Sequence, residues 1–244
     1  MTVSRRLVLT GAVAAGLLAA CGGPAPDTRP LALVYRGKAS TGACSDAVAD
    51  LLRTRLRVEF CGPEENLPLT AESLAKAAVY AQPGGGSLDD GWRAMRRYAD
   101  VITSYVRGGG RYLGFCLGGY LAGATPGFSL LPGDTEQYIA TSGAEVRSTR
   151  DTVIPVDWQG QRRRMYFQDG PDFVLQPGAS VTVLARYTND KIAALVTPYG
   201  KGRVGVVGPH PEAPESWYRD LRLTNPDGVT PDLGLQLVDR TLSP

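Results

Sequence analysis

Histidine is almost missing from this chain of 244 residues: His210 is the only one. That scarcity excludes a metal centre built from imidazoles. The four cysteines, Cys21, Cys44, Cys61 and Cys116, include no Cys-x-x-Cys pair, so the spacing of a zinc site is lacking as well. Neither a metal nor a cofactor is expected. An excess of one charge is also lacking, since 26 basic residues face 24 acidic ones. That balance argues against a nucleic-acid partner and against a polybasic membrane contact. No apolar run reaches the roughly 20 residues that cross a bilayer. There is no internal repeat and no sign of a second folded domain.

What the amino terminus does contain reads as an export signal over residues 1–20. Ser4-Arg5-Arg6 supplies the positive start, and Leu7 to Leu18 is an alanine-rich apolar run. It ends in Leu18-Ala19-Ala20-Cys21, which resembles a bacterial lipobox and makes Cys21 the expected lipidation site; Arg5-Arg6 also resembles a twin-arginine signal. Residues 21–30, rich in Gly and Pro, read as a flexible tether, and 31–244 as the folded domain. The expectation is an exported protein held by its lipid at the outer face of a bacterial cytoplasmic membrane or in the cell envelope. The signal holds two of the basic residues and no acidic ones, so the mature chain is close to neutral.

The domain begins with a β-α-β rhythm. Leu31 to Tyr35 is a continuous apolar run, too short for a helix. A helix is expected over 45–56, capped by Ser45 or Asp46, then a strand over Val58 to Cys61, a helical stretch over Thr70 to Lys76 and a strand over Ala77 to Gln82. One long helix is expected from Asp89, with Trp92, Met95, Ala99, Ile102 and Val106 on a single stripe, closed by Gly108-Gly109-Gly110. Arg111 to Phe115 is the next strand. Beyond residue 144 shorter strands appear: Val153 to Asp157, Arg164 to Phe167, Thr182 to Tyr187, Ile192 to Thr197 and Arg203 to Val207. A last helix spans Leu233 to Leu242. The pattern predicts an α/β, flavodoxin-like fold: a mostly parallel sheet with helices on both faces and added antiparallel strands, with ligands at the carboxyl ends of the parallel strands.

Two of those strand ends carry chemistry. Cys116 sits in Gly114-Phe115-Cys116-Leu117-Gly118-Gly119, where small neighbours allow the sharp strand-to-helix turn that exposes a nucleophile. His210 follows a strand in Gly208-Pro209-His210-Pro211-Glu212, and Glu212 falls on its side of an extended segment, where it can fix the imidazole tautomer. A free cysteine is ordinarily a core residue and a lone histidine ordinarily idle. The coincidence of both with the Gly84-Gly85-Gly86 turn favours a thiol hydrolase. Gln168, Asp169 and Asp172 are weaker candidates for the pocket, because Asp-Gly-Pro is first of all a turn. Arg162-Arg163-Arg164 reads as the solvated face of a hairpin. Cys44 and Cys61, opening a helix and closing a strand at one edge of the sheet, are expected to form a disulfide worth about 3 kcal/mol. The alternative is two unpaired thiols.

The order Cys, His, Glu resembles the class I glutamine amidotransferase-like superfamily over nearly all of residues 31–242. Within it, Val34-Tyr35-Arg36-Gly37, Gln82-Pro83-Gly84-Gly85-Gly86, the Cys116 segment through Tyr120, Tyr166-Phe167-Gln168-Asp169-Gly170-Pro171 and the His210 segment resemble the domain at the amino terminus of biotin-protein ligases, which also occurs alone in bacterial proteins. The resemblance implies Cys116 as nucleophile, His210 as base and then acid, and Glu212 as orienting group. It also implies an oxyanion held by the N–H of Leu117 and of Gly85 or Gly86. Glutamine amidotransferases carry Gln four residues after the nucleophile to grip the substrate; here that position is Tyr120. The expected substrate is therefore a small-molecule or peptide amide, such as a γ-glutamyl bond, rather than free glutamine. Two other readings remain: a binding protein that has kept the fold without turnover, and a redox-sensing thiol protein that uses Cys116.

Overall fold

A computed structural model describes residues 27–243. The export signal, Cys21 and the first part of the tether lie outside the described residues. The chain runs through β1 (Leu31–Tyr35), α1 (Gly42–Arg53), β2 (Arg57–Cys61), α2 (Ala71–Leu74), β3 (Val79–Gln82), α3 (Leu88–Met95), α4 (Ala99–Arg107), β4 (Arg111–Phe115) and α5 (Leu117–Leu121). It continues through β5 (Gly133–Gln137), β6 (Thr152–Trp158), β7 (Gln161–Phe167), β8 (Pro171–Leu175), β9 (Thr182–Tyr187), β10 (Ile192–Tyr199), β11 (Gly202–Val207), α6 (Glu215–Asp220) and α7 (Asp232–Leu242).

All these strands join one sheet, whose main path is β2-β1-β3-β4-β11-β10-β9-β6-β7. The first five strands of that path are parallel, and the chain turns antiparallel from β10 onward. β5 and β8 form an antiparallel ladder that joins the sheet where Phe173 meets Ile192. This is the expected α/β arrangement with its antiparallel additions.

β1 shows why its sequence is apolar throughout. Ala32 and Val34 enter one core with Val48 and Leu52 of α1 and Leu237 of α7, whereas Leu33 and Tyr35 enter the opposite core with Met95, Ile102 and Val106. Alternate side chains leave a strand on opposite faces, and here both faces are covered. Each fully buried aliphatic side chain of this kind contributes about 1.5–3 kcal/mol.

Several expectations shift. Thr41, not Ser45 or Asp46, caps α1: its side chain accepts from the Cys44 N–H, while Ser45 is buried and donates its hydroxyl to the Tyr35 carbonyl at 2.9 Å. The long helix expected from Asp89 is two helices, α3 and α4, joined by a 3₁₀ turn over Arg96–Tyr98; both still bury members of the stripe. Strands β5 and β8 and helix α6 were not legible in advance. β5 reads Gly-Asp-Thr-Glu-Gln and has no apolar alternation, and β8 opens with Pro171 and a buried Asp172. The arginine run is not a free face either. Arg163 forks onto both carboxylate oxygens of Asp232 at 2.8 and 3.0 Å, and Arg164 pairs with Asp227, so two of the three clamp the carboxy-terminal segment onto β7. Arg162 stays exposed.

Candidate active site

β3, β4 and β11 are sheet neighbours running in the same direction, so their carboxyl ends share one rim. Each end delivers a piece of one site: the Gly84 turn, Cys116 and His210.

Cys116 occupies φ 50°, ψ −106°, a conformation that side chains rarely adopt. Its N–H donates to the Val207 carbonyl at 2.9 Å, which anchors the turn to β11. Two glycines make the turn possible. A Cβ at Gly114 would lie 2.4 Å from the Gly118 carbonyl oxygen, and one at Gly118 would lie 1.9 Å from that of Gln82. The Cys116 sulfur faces the Gln168 carbonyl at 3.6 Å.

His210 is buried, and its backbone N–H donates to the Tyr166 carbonyl at 2.8 Å. Its Nδ1 lies 2.8 Å from Glu212 Oε1. With Nδ1 donating to the carboxylate, Nε2 is the nitrogen left for the thiol. Burial works against a charged imidazole here, but the Glu212 carboxylate and the interaction with Cys116 outweigh it and hold the His210 pKa well above its ordinary value. Proximity to Gly84 shows how tightly the groups converge. A Cβ there would lie 2.9 Å from His210 Cε1 and 3.2 Å from Cys116 Cβ. Glu212 has its second oxygen buried without a hydrogen-bond partner.

Cys116 and His210 border a pocket of about 1000 Å³, and Gly85, Gly86, Leu117 and Tyr120 also line it. Gly85 and Gly86 take φ values of 113° and 82°, which glycine tolerates. Leu117 opens α5, so its N–H has no acceptor within the helix. Asp169, at φ 50°, makes the turn between β7 and β8 and also lines the pocket with Gln168. Asp172 instead lies buried on β8, 3.5 Å from Lys191.

The expected disulfide is absent, because Cys44 and Cys61 are both free. Cys61 ends β2 inside the core with Leu69 and Tyr80, where burial pushes its thiol pKa to about 12. Cys44 instead faces the pocket, with its sulfur 3.6 Å from the position of a Gly84 Cβ. The helix opens one turn earlier than expected and turns this side chain toward Cys116, away from β2.

Among the pocket residues that the sequence reading did not assign to the site are Cys44 and the aromatic pair Tyr166 and Trp217. The two rings stand 5.7 and 5.5 Å from the imidazole, and the Tyr166 N–H donates to the Tyr218 hydroxyl at 2.7 Å. An aromatic residue shortly after His210 was the one available signal for Trp217.

The fold defines the class. Over 86% of this chain and 97% of the other, it superposes on a solved glutamine amidotransferase with a TM-score of 0.59 at 16% identity. A glutamine amidotransferase from Methylobacillus flagellatus matches with a TM-score of 0.50 at 15% identity, over 79% of this chain and 74% of its own. The protein thus shares the glutamine amidotransferase-like fold. Its relatives in sequence are more particular: residues 31–141 match the family described as biotin-protein ligase, N terminal. A biotin–protein ligase from Schizosaccharomyces pombe is 28% identical over 163 residues, which are 57% of this chain and 26% of that protein. The chain therefore spans about a quarter of that curated relative.

Proposed function

We propose that this protein is a thiol amidohydrolase, exported and lipid-anchored through Cys21, that acts on an amide, γ-glutamyl or peptide bond through Cys116, His210 and Glu212. The observation that carries the reading is the buried His210 to Glu212 contact of 2.8 Å at the rim that also holds Cys116 in its constrained turn. Those groups supply what the chemistry requires: a thiolate, a proton acceptor and a fixed tautomer.

In this mechanism His210 takes the Cys116 proton, and the thiolate adds to the amide carbonyl carbon. The N–H groups of Leu117 and of Gly85 or Gly86 hold the resulting oxyanion. Collapse breaks the C–N bond as His210 protonates the departing amine, which leaves a thioester on Cys116. Water, deprotonated by His210, then attacks the thioester, releases the carboxylic acid and returns the thiol. Glu212 steadies the imidazolium at both stages.

The test is reaction of the protein with an electrophilic glutamine analogue, followed by peptide mass mapping. Selective labelling of Cys116 that vanishes in His210→Ala supports the reading. Equal labelling of Cys44, Cys61 and Cys116, or labelling indifferent to His210, counts against it. The anchor is tested separately, by whether Cys21→Ser releases the protein from a bacterial membrane fraction.

One observation favours a redox reading instead, namely Cys44 in the same pocket as Cys116. Peroxide treatment that joins these two thiols in the wild type, and joins them equally in His210→Ala, would support that reading over hydrolysis.

A further inference from the structure

Apart from His210, the charged side chains described on the pocket walls around Cys116 are carboxylates. The geometry points to a substrate amide whose acyl portion bears an ammonium group, received by Asp169 and Tyr120, and to rejection of amides whose only charge there is a carboxylate. This specificity rests on the thiol amidohydrolase reading above.

Among the described residues no lysine or arginine lines the pocket, whereas Asp169 and Asp220 do. Asp220 is largely exposed and pairs with Arg219 at 3.2 Å, so its charge is already shared. Asp169 is held differently. Its two carboxylate oxygens accept from the Gln137 amide at 2.8 and 2.9 Å, a neutral partner that orients the group without cancelling its charge. The adjoining residue, Gln168, presents its carbonyl to the Cys116 sulfur at 3.6 Å. The positive φ of Asp169 turns the chain at that point, and constrained backbone of this kind gathers at ligand sites.

Tyr120 supplies the second half of the wall. It follows Cys116 by four residues, lines the same pocket, and has a buried hydroxyl without a hydrogen-bond partner. A buried polar atom left unpaired is costly, and a bound donor would satisfy it. An alkylammonium fits all three features: it donates to the carboxylate, donates to the phenolic oxygen and rests its charge against an aromatic ring. A carboxylate would meet Asp169 in a cleft that focuses the repulsion. His210 offers it little relief, since the imidazole is committed to Glu212 and Cys116. The position that grips free glutamine in glutamine amidotransferases is here part of an ammonium-binding wall.

The experiment compares two methanethiosulfonates of similar size, one ending in a primary ammonium and one in sulfonate. Each converts a thiolate to a mixed disulfide and releases methanesulfinate. Rates at Cys116 are read by peptide mass mapping and divided by those of a small free thiol, which cancels intrinsic reactivity. The expected result is a preference for the cationic reagent of roughly tenfold. It should shrink several-fold in Asp169→Asn and narrow in the wild type as ionic strength rises. Equal rates, faster reaction of the sulfonate, or a preference unmoved by Asp169→Asn overturns the proposal. Neutral iodoacetamide separates the two levels of inference. If it labels Cys116 in a His210-dependent way while charge preference is absent, only the ammonium specificity fails; if Cys116 does not react at all, the hydrolase reading fails with it.

Discussion

The two halves of the sheet serve the pocket in different ways. The parallel half, β2-β1-β3-β4-β11, brings Gly84, Cys116 and His210 to one rim through strand ends alone, and its backbone is so close there that Gly114 and Gly118 admit no side chain. The antiparallel half contributes walls: Tyr166 from β7, Gln168 and Asp169 from the turn before β8, and Gln137 from β5. The first half fixes reactive groups, whereas the second varies what surrounds them. Changes in the parallel half should therefore abolish chemistry or folding, and changes in the antiparallel half should retune it.

The comparison is tested most severely by Cys116→Ser and His210→Ala. Each should lower amide hydrolysis by at least about 10³-fold, measured as kcat/KM on a cleavable amide; stability should be little changed in Cys116→Ser and reduced in His210→Ala, which leaves the buried Glu212 carboxylate unpaired. Next comes Gly118→Ala, whose Cβ would overlap the Gln82 carbonyl; a loss of roughly 2–3 kcal/mol in denaturant unfolding is expected. Gly86→Ala, where nothing lies within 4 Å but φ is 82°, should cost about 1 kcal/mol. If the two glycine variants prove equally stable, backbone crowding does not define the parallel half.

The pH behaviour sharpens the contrast further, because the sole histidine gives one readable imidazole signal. Its raised pKa means that the His210 contribution to stability is fully present below about pH 6.5 and is lost as pH rises through the folded value. Glu212→Gln should move the NMR titration of this ring downward and shift the loss of imidazolium to lower pH. A titration unchanged by that substitution would show that the carboxylate is not responsible. The smallest effect belongs to the antiparallel half: Arg163→Ala breaks a partly exposed pair with Asp232 and should cost no more than about 1 kcal/mol in thermal or urea unfolding.

Much of this was legible in the primary order because local rules decide it. Apolar runs bounded by glycine and proline marked β1 and β4 closely, and glycines around Cys116 announced a turn that only small neighbours permit. His-x-Glu foretold a contact between residues two apart, although Pro211 and Glu212 lie in a turn closed by the Ala213 N–H and the His210 carbonyl rather than on the expected extended segment. Where the controlling contacts are distant in sequence, the chain alone was silent or misleading. β5 is polar and β8 opens with Pro171 and Asp172, so neither reads as a strand until they pair with each other and Phe173 meets β10, and the arginines of β7 find carboxylates more than sixty residues away. Cys44 and Cys61 suited a bridge by spacing, but the start of α1 at Thr41 directs one sulfur to the pocket and leaves the other in the core. The sequence determined the strands, the turn and the reactive residue types, since each depends on neighbours along the chain. Tertiary structure alone decided which thiol accompanies Cys116 and which carboxylate borders it, because those choices depend on how helices and ladders far apart in the chain settle against one sheet.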